Sequence, residues 1–385
     1  MTEKLYYLDS HLFAFEAVVT GCEETKKGWT VTLDRTAFFP EGGGQPADTG
    51  TIGPARVLDA HERKGEVLHT TDRPLPVGER FVCALDREQR LRRMQDHSGE
   101  HILSGLIYRE HGFDNVGFHM GEDCMTMDYS GELSWEQLMA VEQLANVAVR
   151  ADLPLKIWWP EPEELAALQY RSKLDLTEDV RIVEIPGIDR CACCAPHVAR
   201  TGEVGLIKIL SAERHRGGVR ITAVCGLDAA ERVRAYQESV TAISGLLSVP
   251  REQIVPAAER LLQRFEEQKL RISALELALA RQRADSIPPA EEAVVLFEEE
   301  LGEPALRELV NALTEKCPLA AVFTGSDREG WRYIIGSRRV DLRRNGKAVN
   351  AGIQGRGGGS PTMIQGRAAA SAEAIRAFFR DWKGA

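Results

Sequence analysis

Apolar and polar residues alternate in short runs over the first part of the chain, at Ala14 to Val19, Trp29 to Leu33, Ala55 to Leu58 and Glu66 to Thr70. A period of two with turn residues between the runs predicts strands, and residues 1–85 are expected to form a small, barrel-like β domain. After Asp86 the period changes. Asp86 reads as an N-cap with Gln89 three residues on, and Leu91, Met94, Ile102 and Leu106 keep a helical spacing until Gly112, which predicts a helix from Arg87 to Glu110. A second helix is expected from Ser134 to Arg150. Strands are expected at Val180 to Ile185, Gly205 to Leu210 and from Gly218 to near Cys225. These elements make residues 86–225 an α+β domain.

Residues 228–285 are expected to be helical throughout. Leu261, Phe265, Gln268, Ile272, Leu275 and Leu279 fall at alternating spacings of four and three, the pattern of a coiled-coil seam. The seam needs a cover: either the segment Val233 to Leu247 in a hairpin or a second copy of the chain. Ser286-Ile287-Pro288-Pro289-Ala290 ends this helical segment of residues 226–290. A compact α/β domain is expected over 291–385, with strands at Ala293 to Phe297, Ala320 to Thr324 and Arg332 to Gly336 and a helix at Pro304 to Lys316. The fold class is therefore multidomain α+β.

A length of 385 residues fits two to four such domains. The N-terminus lacks a signal-peptide pattern, no apolar run approaches a membrane span, and eight cysteines form no repeated framework, so a cytoplasmic protein without membrane association is expected. A formal charge of -10 argues against indiscriminate binding of polyanions. Binding of nucleic acid would fall to local clusters: Arg87, Arg90, Arg92 and Arg93; Arg214, Arg216 and Arg220; and Arg338, Arg339, Arg343, Arg344, Lys347 and Arg356.

The candidate chemistry is a metal site. His97 and His101 stand one turn apart on one helical face, where both imidazoles reach one ion. In Cys191-Ala192-Cys193-Cys194-Ala195-Pro196-His197, Cys193 and His197 repeat that spacing, and Pro196 places this half on a loop. A divalent metal ion is expected here, with Cys191 and Cys194 as further candidate thiols beside Cys193. The Gly42-Gly43-Gly44 run offers close backbone approach to a ligand but lacks the Lys-Ser/Thr of a phosphate loop. His97-Ser98-Gly99-Glu100-His101 also fits the inverted zinc-peptidase signature, with Glu100 as base. A third reading is a non-catalytic RNA-binding protein stabilised by zinc, which a closed set of four ligands favours.

Taken in order, Phe39-Pro40-Glu41-Gly42-Gly43-Gly44-Gln45-Pro46, His97/His101, Cys193/His197 with Thr201-Gly202, and Gly218-Val219-Arg220-Ile221 resemble the alanyl-tRNA editing proteins. These are freestanding relatives of the editing domain of alanyl-tRNA synthetase, and the chain is similar to their long form. The stretch Gln354-Gly355-Arg356-Gly357-Gly358-Gly359-Ser360-Pro361, with Met363 to Gly366, resembles the DHH-associated domain of those synthetases and reads as a glycine-rich loop. The resemblance implies hydrolysis of the ester in misacylated alanine tRNA, chiefly seryl and secondarily glycyl, with zinc held by His97, His101, Cys193 and His197. It implies substrate contacts at Thr36, Gly43, Gly44 and Gln45, with Glu100 positioning water. For the tRNA it implies contacts at Arg220, Arg343, Arg344, Arg356, Gly357, Gly358 and Gly359, and a homodimer through the helical segment or the C-terminal domain.

Overall fold

The computed structural model describes residues 1–385 other than 27, 173–178, 299–300 and 383–385. It divides into two compact units, Met1–Val240 and Thr241–Ala385.

In the first unit, strands β1 (Ala14–Thr25), β2 (Gly28–Leu33), β3 (Gly50–Ile52), β4 (Ala55–Arg63), β5 (Glu66–Thr71) and β6 (Arg80–Leu85) close in the order β1-β2-β5-β4-β3-β6. Alternate residues point inward, and Val19, Val31, Leu33, Ile52, Val57 and Cys83 fill the interior. The alternation had predicted four of these strands. It missed β3, which is only three residues long, and β6, whose run Arg80–Leu85 follows a Pro-rich turn.

Helix α1 (Arg87–His111) leaves the barrel directly. Asp86 caps it by accepting from the Gln89 amide, and Gly112 ends it at a φ of 71°. Its buried face meets a four-stranded antiparallel sheet of β7 (Asn115–Met120), β8 (Met125–Tyr129), β12 (Ile207–His215) and β13 (Gly218–Cys225), in the order β12-β13-β8-β7. Met94, Ile102, Leu106, Met127, Ile209 and Ile221 share that core with α2 (Trp135–Arg150), which starts with a capping box between Ser134 and Gln137. A separate three-stranded sheet, β9 (Lys156–Trp158), β10 (Ile182–Ile185) and β11 (Asp189–Ala192), carries Cys191 on its last strand and delivers the chain into the loop 193–197.

Of the four arginines before the histidines, Arg87 lies exposed over the Phe13 ring and the other three are engaged within the protein. Arg90 is fully buried, pairs with Asp48, and donates to the carbonyls of Ser10 and Ala37. Arg92 is held by Glu88, Asp228 and Glu231, and Arg93 donates to the Ala47 carbonyl. Arg90 and Arg93 tie α1 to the N-terminal loops, and Arg92 ties it to Asp228 and Glu231. Breaking a buried pair such as Arg90–Asp48 from one side costs about 3–5 kcal/mol, since it strands the other charge.

The helical segment expected over 228–285 consists of two helices, α3 (Gly226–Leu247) and α4 (Ile254–Asp285). Ser248 turns at a φ of 52° and Pro250 supplies no amide hydrogen, so the helical ladder stops between them. In the second unit, Ala280 and Ala284 of α4 pack on α5 (Glu303–Leu313) and on a five-stranded sheet. Its strands are β14 (Val294–Glu298), β15 (Leu319–Ser326), β16 (Gly330–Ser337), β17 (Gly355–Gly359) and β18 (Met363–Ala368), in the order β14-β15-β16-β18-β17.

The glycine-rich run is not the loop that the sequence suggests. It is the edge strand β17, where Gly357, Gly358 and Gly359 stand opposite Gly366, Gln365 and Ile364 of antiparallel β18. Backbone pairing with β18 holds these glycines extended, and at Gly357 and Gly359 the partner strand stands where a Cβ would go, while Gly358 faces open space. Helices α6 (Leu342–Gly352) and α7 (Ala372–Asp381) cover the other face through Val349, Ile375 and Phe379.

Candidate metal centre and its cavity

Four ligand atoms from His97, His101, Cys193 and His197 lie within 4.8 Å of one another. The Cys193 thiol is 3.4 Å from His97 Nε2 and 3.3 Å from His197 Nε2. The three imidazoles are buried. Helix α1 supplies two ligands by its pitch and the 193–197 loop supplies the other two.

Each outer ring nitrogen is also engaged. His101 Nδ1 donates to Asp189 Oδ2 at 2.9 Å, His97 Nδ1 lies 2.9 Å from Gln45 Oε1, and His197 Nδ1 lies 3.0 Å from Ser98 Oγ. Asp189 is gripped in turn by Arg171, at 2.7 and 2.8 Å. Burial alone would raise the Asp189 carboxyl, but the hydrogen bonds from His101 and Arg171 hold it down to about 2, so it is a permanent acceptor. Such partners orient a metal-binding imidazole and turn its Nε2 lone pair inward. Burial, with His101 and His97 adding to it, pushes the His197 imidazole well below its ordinary range, which keeps it neutral as ligation requires. The donor set and its backing fit zinc: one soft thiol and three imidazoles converge on one point.

The alternative thiols are placed differently. Cys191 groups with His101 and Asp189 in a second possible cluster, but there Asp189 is already clamped by Arg171. Cys194 is exposed and faces the glycine loop, where a Cβ on Gly43 would sit 3.6 Å from its sulfur.

A cavity of about 480 Å³ opens beside the cluster, lined by Gly43, His97, Glu100, His101, Phe118 and Cys193 among others. Gly44 docks the loop on β7: its carbonyl accepts from the Met120 amide, and a Cβ there would stand 2.6 Å from the Phe118 oxygen. Gln45 is fully buried, and its Nε2 has no partner among the described residues. Glu100 Oε1 accepts from Ser104 and Asn115 at 2.7 and 2.6 Å, while Oε2 lies 3.7 Å from His101 Nε2. Of the expected substrate contacts only Gly43 lines this cavity; Gly44 and Gln45 stand behind it, and so does Thr36. Its hydroxyl is engaged by His69 and by the Phe38 amide.

Arg220 is bound through two hydrogen bonds to Asp128. In the second unit Arg343 reaches the Gly359 carbonyl, and Arg344 is largely exposed beside Asp341. Arg356, Gly357, Gly358 and Gly359 follow one another along the exposed edge strand β17. The sequence reading missed Ser98, Asp189 and Arg171. Ser98 sits beside a ligand and Asp189 two residues before Cys191, but only the fold pairs them with imidazoles.

Residues 180–222 match the family described as the threonyl and alanyl tRNA synthetase second additional domain. An alanyl-tRNA editing protein of Pyrococcus horikoshii is 34% identical over 243 residues, which cover 60% of each protein. Alanine–tRNA ligases of Halobacterium salinarum and Natronomonas pharaonis are 34% and 33% identical over 91% and 95% of this chain. The chain spans about 40% of those ligases, 39% and 42% respectively. The match thus runs through the barrel, the metal cluster and most of the second unit. With the second additional domain around its cysteine loop and relatives of both kinds along its length, the chain is similar to an alanyl-tRNA editing protein and to part of the alanine–tRNA ligases.

Proposed function

We propose that this chain is a zinc-dependent hydrolase that removes the wrong amino acid from alanine tRNA, with the seryl ester as main substrate and the glycyl ester as second. The observation that carries the reading is the cluster of three imidazoles and a thiol, each imidazole backed at its outer nitrogen, at the wall of a cavity. In this reading residues 1–85 supply the glycine loop, 86–225 the metal site, 226–290 a helical spacer and 291–385 a tRNA-binding domain.

Zinc held by His97, His101, Cys193 and His197 would supply Lewis acidity at the ester carbonyl or hold the terminal ribose. The remaining work falls to this chain's own groups. Glu100 keeps one carboxylate oxygen fixed by Ser104 and Asn115, which leaves the other to orient water and take its proton. Gln45, buried behind His97 with Nε2 lacking a partner among the described residues, is assigned to the amino acid side chain, and the backbone of Gly43 and Gly44 to the approach of the ester. Thr36 acts from within the barrel, by holding the turn that leads into the glycine loop. Arg220, Arg343, Arg344 and Arg356 are assigned to the tRNA backbone, with Gly357, Gly358 and Gly359 as a strand edge that phosphates can approach closely.

The test is deacylation of seryl-, glycyl- and alanyl-tRNA, all on the alanine tRNA, by the protein as purified, after chelation and after zinc is restored. Loss of serine that follows zinc, with alanine spared, is expected, together with a fall in kcat of about 10²-fold or more for Glu100→Gln. A chelated protein as active as the zinc form removes the metal from the mechanism, and no hydrolysis of any ester removes the reading.

A further inference from the structure

The mouth of the metal cavity carries groups that ester hydrolysis does not use. Trp159 is 46% exposed there, although large aromatic surface is usually withdrawn from water. It follows strand β9 and precedes Pro160, which holds it extended. The Tyr7 ring stands against it at 5.5 Å and 75°. Arg181 lies under both rings, 5.2 Å from the Tyr7 centroid and 5.8 Å from that of Trp159.

Arg181 is the second unusual group. Only 6% of it is exposed, and no carboxylate among the described residues pairs with it. Its Nη1 donates to the carbonyls of Cys193 and Ala195, while its Nε is buried without a partner among the described residues. A buried guanidinium that lacks, among the described residues, both a counter-ion and one hydrogen bond is costly, and an anion arriving in the cavity would supply both. Lys4, also at the cavity wall, already pairs with Glu62.

We propose that this mouth receives the 3′-terminal nucleotide of an RNA, with Trp159 and Tyr7 as the stacking surface for its base and Arg181 as the partner of its phosphate. A nucleotide offers one flat π-face and one anion, which is what the aromatic pair and the buried guanidinium lack. The proposal rests on the hydrolase reading for its choice of RNA end. It adds how that end is held while the ester lies at His97, His101 and Cys193.

The zinc-loaded full chain is titrated into a 5′-labelled RNA trinucleotide CCA and followed by anisotropy, with adenosine 5′-monophosphate and adenosine as unlabelled competitors. Trp159→Ala is expected to weaken the trinucleotide by about 5- to 100-fold, the range for losing one stacked base. Arg181→Gln should abolish the advantage of the monophosphate over adenosine. Zinc content is measured in both variants, because Arg181 also braces the metal loop. Zinc lost from Arg181→Gln would make that residue a brace and overturn its part. Unaltered binding by Trp159→Ala, or no trinucleotide binding by a protein that hydrolyses seryl-tRNA, overturns the stacking surface. Trinucleotide binding with these effects but no hydrolysis leaves the nucleotide site standing and removes the hydrolase.

Discussion

At the scale of single residues, the candidate metal centre is braced by groups that stand outside its four ligand atoms. Asp189 fixes the His101 ring by accepting from Nδ1, and Arg171 fixes Asp189. Outer partners of this kind are worth about 10- to 100-fold in metal affinity. Asp189→Asn is therefore expected to weaken zinc by that factor, measured by competition with a chromophoric chelator, while circular dichroism confirms the fold. Affinity equal to the parent's would show that the helix alone orients His101. The residue scale also explains why Thr36 stands apart from the cavity that its sequence position suggests. A threonine near a glycine loop gives no sign that its hydroxyl is engaged by His69 across the barrel.

At the scale of elements, α1 sits where it does because it has glycine where neighbours approach most closely. A Cβ on Gly105 would stand 2.5 Å from the Ile188 carbonyl and 2.6 Å from the Asp189 Cβ, at the crossing that brings Asp189 to His101. Alanine gains about 1 kcal/mol of helix propensity over glycine. Overpacking against backbone costs about 1–3 kcal/mol, so the clash wins. Gly105→Ala should lower Tm by a few degrees, whereas Gly245→Ala in α3, with open space around it, should raise Tm. A Tm for Gly105→Ala at or above the parent's would mean that the β10–β11 turn yields freely. Periodicity could place α1 but not this crossing, since a mid-helix glycine reads in sequence only as a weak helix former. The same blindness applies to β17, because consecutive glycines carry no alternation and only the partner strand β18 makes Gly357, Gly358 and Gly359 a strand.

At the scale of the whole molecule, the seam on α4 remains uncovered. Leu261, Phe265, Ile272, Leu275 and Leu279 are 57%, 63%, 58%, 61% and 57% exposed. An apolar stripe of this length, interrupted only at Gln268, seeks a partner, and a second copy would supply a matching one. Sedimentation at tens of micromolar is expected to give a dimer for the parent and a monomer for a Phe265→Glu, Leu275→Glu double variant. A monomeric parent would leave the stripe to a different partner. No helix among the described residues is long and apolar enough to cross a membrane.

The sequence by itself determined what short-range chemistry can encode. Alternation produced four barrel strands, Asp86 and Gly112 bounded α1, and a spacing of four put His97 and His101 on one face. Only the tertiary structure decided how distant stretches combine. Closing the barrel required β3 and β6, too short or too masked by proline to be read alone. Joining His97 to Cys193 crosses 96 positions, and neither half carries a mark of the other. The arginines before His97 looked like a polyanion surface because charge in sequence has no sign of burial; the fold turned Arg90 inward onto Asp48. Local periodicity is a property of the backbone and is written residue by residue. Pairing between remote side chains depends on which surfaces the packed core leaves facing each other.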